Sequence, residues 1–164
     1  MTRLILMRHA KSSWKDHGLT DHQRPLNGRG RDDAPYMARL LAEKGWAPDL
    51  ALVSDAARTE ETWAWMAGEF ESEPSALLLP ALYHGGLRDI RRALEDRVRS
   101  ESTVLALGHN PGWEEAVKLL TGRAVTMKTA NAALLSHKLG WADAVGRLDW
   151  RLHTILTPKG RPTR

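Results

Sequence analysis

The chain is expected to fold as an α/β protein, a three-layer α/β/α sandwich around a mostly parallel central sheet. Three observations predict this. Short continuous apolar runs such as "LILM", "LALV" and "TVLAL" recur along the chain, the mark of strands buried on both faces. Helical patterns lie between those runs, and strands alternating with helices imply helices covering a largely parallel sheet. The length of 164 residues suits one domain with a core in two or three layers.

The first strand is Leu4 to Met7, and it ends abruptly in Arg8-His9. Ala34, Met37, Leu40 and Leu41 then form one apolar helical face that stops at Gly45, a residue suited to the left-handed end of a helix. Pro35 lies early in that pattern, so the helix is expected to start late or to bend there. A second strand covers Asp49 to Ser54 and a helix Ala56 to Phe70. A third strand lies around Leu77 to Leu79, followed by a helix over Leu87 to Val98. The strand Ser102 to His109 leads to a helix at 112–122, with Asn110 as its N-cap and Pro111 at its first position. "AALLSHKLG" and "RLDWRLHTIL" complete the set, the last alternating and so nearer an edge. Residues 1–157 read as one domain without repeat or linker, and 158–164 as a basic, flexible tail.

Composition narrows the functional classes. The chain has no cysteine, which excludes disulfides, cysteine metal sites and a thiolate nucleophile. No stretch approaches the roughly 20 apolar residues of a membrane span, and the N-terminal apolar run is too short for a signal peptide, so a cytoplasmic protein is expected. The net charge of +4 permits an acidic partner or substrate. No basic stripe with interleaved aromatics is present, so nucleic acid is not expected as a partner.

In such sheets, ligand sites form at the C-terminal ends of strands, where strand order reverses. The strand ends here carry Arg8-His9, Ser54-Asp55 with Arg58 close behind, and His109-Asn110. Two histidines and two arginines therefore converge on one edge. Neutral imidazole is a good nucleophile toward phosphorus, and the phosphoramidate it forms can be hydrolysed. Arginine binds two phosphoryl oxygens with a planar fork that stays charged. His9 surrounded by Arg8, Arg58 and His109 is thus a plausible phosphate cage that needs neither metal nor cofactor.

The segments "LMRHAKSSW", "RPLNGRG", "VSDAARTEET" and "ALGHNPG", in this order, resemble the histidine phosphatase superfamily, the phosphoglycerate-mutase-like fold, and most closely its small SixA-type phosphohistidine phosphatases. The resemblance implies that His9 is the phosphorylated nucleophile and that Arg8, Arg58 and His109 hold the phosphoryl oxygens. Two features depart from the family pattern. Ala10 stands where the superfamily usually has glycine. "PALYHGGLRD" offers no carboxylate immediately after its strand, where many members carry the acid that protonates an alkoxide leaving group.

A positioned acid is worth about 10²–10⁴-fold to a poor leaving group, whereas phosphohistidine can leave as neutral imidazole. The missing acid therefore favours P–N over P–O substrates. Asp21 is the candidate acid, with His84 next because it titrates near neutral pH. Lys11, Ser12, Ser13, Arg24, His84 and Asn110 are the candidate substrate contacts. Lys11, Ser12 and Ser13 equally suit a polar turn, and Arg24 suits pairing with a carboxylate to fix its loop better than it suits substrate contact. Ser54 and Asp55 suit a helix cap, the tryptophans suit the core apart from Trp14 at the site mouth, and His17 and His22 lack metal-ligand spacing.

The expected function is metal-independent phosphatase action through His9, with a phosphorylated protein, such as a phosphotransfer or phosphorelay domain, as substrate. The alternatives are a small-molecule phosphomonoesterase and a phosphate-binding module without turnover.

Overall fold

The computed structural model describes residues 1–158; the tail expected from 158 onward lies, apart from its first residue, outside them. Six strands form one sheet: β1 (Thr2–Arg8), β2 (Leu50–Ser54), β3 (Ser75–Leu79), β4 (Thr103–Gly108), β5 (Ala132–His137) and β6 (Arg151–Leu156). Their spatial order is β3-β2-β4-β1-β5-β6. The first four of that order run parallel, β5 is antiparallel to β1, and β6 is antiparallel to β5.

The helices are α1 (Gly28–Glu43), α2 (Ala57–Ala67), α3 (Leu87–Arg97), α4 (Gly112–Thr121) and the short α5 (Trp141–Ala144). Strand alternation sorts the core into two layers. Leu4 and Leu6 pack with Ile90, Leu94, Trp113 and Val117 of α3 and α4 on one face. Ile5 and Met7 pack with Met37, Leu41 and Met66 of α1 and α2 on the other. Each such side chain stabilises the fold by about 1.5–3 kcal/mol, so β1, buried on both faces, is held rigidly in the sheet.

Three local expectations are corrected. The first helix does not start late; it begins at Gly28, where Asn27 Oδ1 accepts from Gly30 N at 2.9 Å, and runs through Pro35. An interior proline costs about 3 kcal/mol, and burial of Met37 and Leu41 beyond it is large enough to offset that. The helix does end at Gly45, which has φ +76°. At α4 the flanking position is Pro111 rather than Asn110, because His109 O already accepts from Trp113 N and closes a turn there. The Asn110 Oδ1 still accepts from Glu114 N at 3.3 Å. Finally, β6 is an edge as its alternation predicts, but the apolar β3 is the other edge, with Leu78 46% exposed.

Candidate active site

The C-terminal ends of β1 and β4, adjacent in the sheet, deliver Arg8-His9 and His109 to one place. Ser54 ends β2, and Arg58 occupies the first turn of α2 beyond it. His9, Arg58 and His109 are buried at 6%, 6% and 7% exposure. Above them opens a cleft of about 400 Å³ lined by Asp21, Arg58, Tyr83, His84, His109 and Asn110, among others.

Hydrogen bonds assign the state of His9. Its Nδ1 lies 2.7 Å from Ala10 O, an acceptor only, so Nδ1 carries the proton. The Nε2 faces Arg58 Nε–H at 3.4 Å, which can only donate. Both contacts leave the lone pair on Nε2. Burial, reinforced by Arg58, Arg8 and Arg24, pushes the pKa of His9 down to about 4, so the ring is neutral at pH 7. Ala10, where the family pattern has glycine, is fully buried and donates its N–H to Thr62 Oγ1 at 3.1 Å.

His109 is likewise held by a hydrogen bond. Its Nε2 sits 2.8 Å from Ser54 Oγ, which accepts from Ala56 N at 3.3 Å and so can donate its own hydrogen to the ring. With the hydroxyl donating in this way the ring proton lies on Nδ1, which is buried and has no partner among the described residues. Burial, with His9 and Arg58 close by, lowers the pKa of His109 to about 3. His109 is therefore a neutral N–H donor in this arrangement rather than an imidazolium. The rings of His9 and His109 are 5.3 Å apart between centroids.

Arg8 Nη1 donates to Met127 O at 3.2 Å, and Asn110 Nδ2 donates to the same carbonyl at 2.8 Å, so the Met127 loop holds both side chains. Arg8 Nε is buried with no partner among the described residues. Arg58 uses Nη1 on Asp21 O at 2.8 Å and Nη2 on Asp21 Oδ2 at 3.1 Å. Asp21 also accepts from Arg24 Nε at 3.2 Å and from the Tyr83 hydroxyl. Tyr83, followed by Arg58, draws the Asp21 carboxyl down to about 2, so it is an ionised acceptor at neutral pH.

The remaining sequence candidates divide. His84 and Asn110 line the cleft. Arg24 is buried, pairs with Asp21, donates to Ser12 Oγ at 2.7 Å and stacks on Trp14 at 3.4 Å from the ring centroid. Ser13 is drawn into the same loop, its O accepting from Arg24 Nη1 at 3.3 Å. The side chain of Lys11 is exposed, while its carbonyl accepts from Asn27 N at 3.0 Å. A side-chain carbon at Gly30 would collide with that carbonyl, which is why glycine stands there.

Asp55 does not cap α2, whose flanking residue is Ala56; it bonds His22 Nε2 at 2.9 Å. Tyr83 and Ser54 are the side chains that sequence reasoning missed in these roles. Tyr83 lies just past the strand where a carboxylate was sought, and its ring meets His109 edge-on at 5.5 Å. Its position was therefore the available signal. Ser54 was visible only as a strand-end hydroxyl.

The profile of the histidine phosphatase superfamily (branch 1) matches residues 4–102. An uncharacterized chloroplastic protein of Arabidopsis thaliana is 39% identical over 169 residues, spanning 95% of this chain and 78% of that one. Among solved structures, the SixA protein of Nakamurella multipartitia superposes with TM-score 0.84 at 26% identity, covering 96% of each chain. The SixA protein of Agrobacterium tumefaciens superposes with TM-score 0.79 at 27% identity, covering 96% of this chain and 98% of that one. Both are provisionally assigned as phosphohistidine phosphatases.

Proposed function

The chain belongs to the histidine phosphatase superfamily and is a phosphatase by that membership; from this premise we propose that it removes phosphoryl groups from phosphohistidine on a protein, without a metal, through His9. The observation that carries the reading is the neutral His9 ring, with its Nε2 lone pair presented beside Arg58.

In this reading Nε2 of His9 attacks phosphorus in line. The P–N bond of the substrate breaks as the new one forms, and the electron pair returns to the substrate imidazole, which leaves neutral when its other nitrogen is protonated. Arg8 and Arg58 neutralise the charge spread over the phosphoryl oxygens, and the ring N–H of His109 donates a hydrogen bond to them. Water then attacks the phosphorus on His9, releasing inorganic phosphate and restoring the ring.

A leaving imidazole needs no strong acid. That suits a cleft whose lining carboxyl, Asp21, is ionised. Asp21 is the candidate acid for other leaving groups only once a phosphoryl group takes Arg58 from it, which would remove part of what holds its pKa low. Arg24, Ser12 and Ser13 act by holding this loop over the cleft, and His84 and Asn110 contact the substrate at the rim. A cytoplasmic site of action completes the reading, and fractionation of the native cells tests it.

The test is a side-by-side assay on a histidine-phosphorylated phosphotransfer protein, phosphoglycerates and an aryl phosphate, with and without EDTA. The phosphoprotein should be turned over with the highest kcat/KM, unaffected by chelation. Preference for a phosphoglycerate would favour the small-molecule phosphomonoesterase reading. Binding of all three with no phosphate release would favour a binding module.

A further inference from the structure

Arg88, Arg91 and Arg92 of α3 are spaced three and four residues apart and share one face of the helix. The opposite face, with Ile90, Ala93 and Leu94, is buried in the core. Between α3 and α4 runs a groove of about 760 Å³ lined by the three arginines, Leu119, Glu95 and Glu115, among others. Gly86 and Glu115 line both this groove and the catalytic cleft, so the two are continuous. The junction is close-packed: a side-chain carbon at Gly112 would collide with the carbonyl of Gly85.

Among the described residues none of the three arginines pairs with a carboxylate within salt-bridge distance. Arg91 Nη2 donates to Arg147 O at 3.0 Å, which fixes the guanidinium, and its Nε is buried without a partner among those residues. Leu119 is 46% exposed at the same groove. One fixed and two exposed guanidinium groups, an exposed apolar side chain and continuity with the catalytic cleft together describe a docking surface.

We propose that this groove binds an acidic segment of the protein that carries the phosphohistidine, its Asp or Glu side chains pairing with Arg88, Arg91 and Arg92 and an apolar residue covering Leu119. The proposal rests on the phosphohistidine-protein reading above and names the feature of that protein which the site selects. Glu95 and Glu115 favour this occupant over nucleic acid. A continuous polyanion would be driven onto both carboxylates, whereas a peptide can place its charges between them. The pairs are solvent-exposed in part, so their effect falls with salt as the screening length drops below about 10 Å.

Two synthetic phosphohistidine peptides, identical except for four Glu or four Gln beside the phosphorylated residue, provide the test, with the unphosphorylated Glu peptide carrying a fluorophore for anisotropy. The wild-type protein should hydrolyse the Glu peptide with kcat/KM about tenfold above the Gln peptide at low salt. Arg88→Glu/Arg92→Glu should erase that preference and weaken the anisotropy-measured binding about tenfold, while turnover of an aryl phosphate stays unchanged and shows the catalytic site intact. Equal kcat/KM for the two peptides in wild type, binding insensitive to the double substitution, or a uridine homopolymer bound as tightly as the Glu peptide would overturn the proposal. Arginine-dependent binding without hydrolysis of either peptide would support the groove and count against the phosphohistidine reading alone.

Discussion

At the scale of single residues, the chemistry turns on which nitrogen carries each proton. His9 Nδ1–H is tied to Ala10 O and His109 Nε2 to Ser54 Oγ, so one ring offers a lone pair and the other an N–H. Ser54→Ala should free His109 to take the other tautomer. It is expected to lower kcat/KM about fivefold, in keeping with loss of one hydrogen bond of about 1 kcal/mol, and to move the ¹⁵N resonances of His109. Unchanged resonances would contradict the assignment. Both rings have pKa values depressed from 6.5, to about 4 for His9 and about 3 for His109. The unfolded chain therefore binds protons between about pH 6.5 and 4 that the folded chain does not, so stability should rise with pH across that window by on the order of a few kcal/mol. Urea titrations at pH 4.5 and 7 check this, and equal midpoints would contradict it. The clustering of Arg8, His9, Arg58 and His109 was legible in the sequence because each follows a strand end. The pairings of Tyr83 with Asp21 and of Ser54 with His109 join residues 62 and 55 apart, and no local pattern encodes them.

At the scale of elements, β1, β2, β4 and β5 were legible because burial on both faces leaves uninterrupted apolar runs, and the four longer helices because of the periodic patterns between the runs, whereas the short α5 was not read. Pro35 was misleading, since local propensity is outweighed where a helix buries a face against the sheet. The exposure of β3 was equally hidden, because its apolar run matches that of a central strand and only pairing order makes it an edge. The start of α1 depends on Gly30 lying against the backbone of Lys11, two residues past the nucleophile. Gly30→Ala is expected to cost about 1–3 kcal/mol and to lower activity by displacing the 11–13 segment. Gly68→Ala, where nothing lies within 4 Å of the added carbon, should leave both within error. Denaturant melts of the two variants, with aryl phosphate assays, separate the local clash from a general glycine effect.

At the scale of the whole molecule, the parallel order β2-β4-β1 brings three strand ends together at one edge of a sheet whose two faces are covered by helices. A site with two arginines, a neutral histidine donor and an ionised carboxyl is suited to leaving groups that depart neutral. It should prefer phosphohistidine to a simple alkyl phosphate by at least the roughly 10²-fold that a positioned acid supplies; comparable kcat/KM values would contradict this. The most direct measurement concerns the covalent step. Protein quenched during turnover of ³²P-labelled substrate should carry label on His9 that is lost in acid and kept in alkali, and His9→Ala should carry none and release no phosphate. Acid-stable label, or turnover by His9→Ala, would contradict the assignment of His9 as the nucleophile.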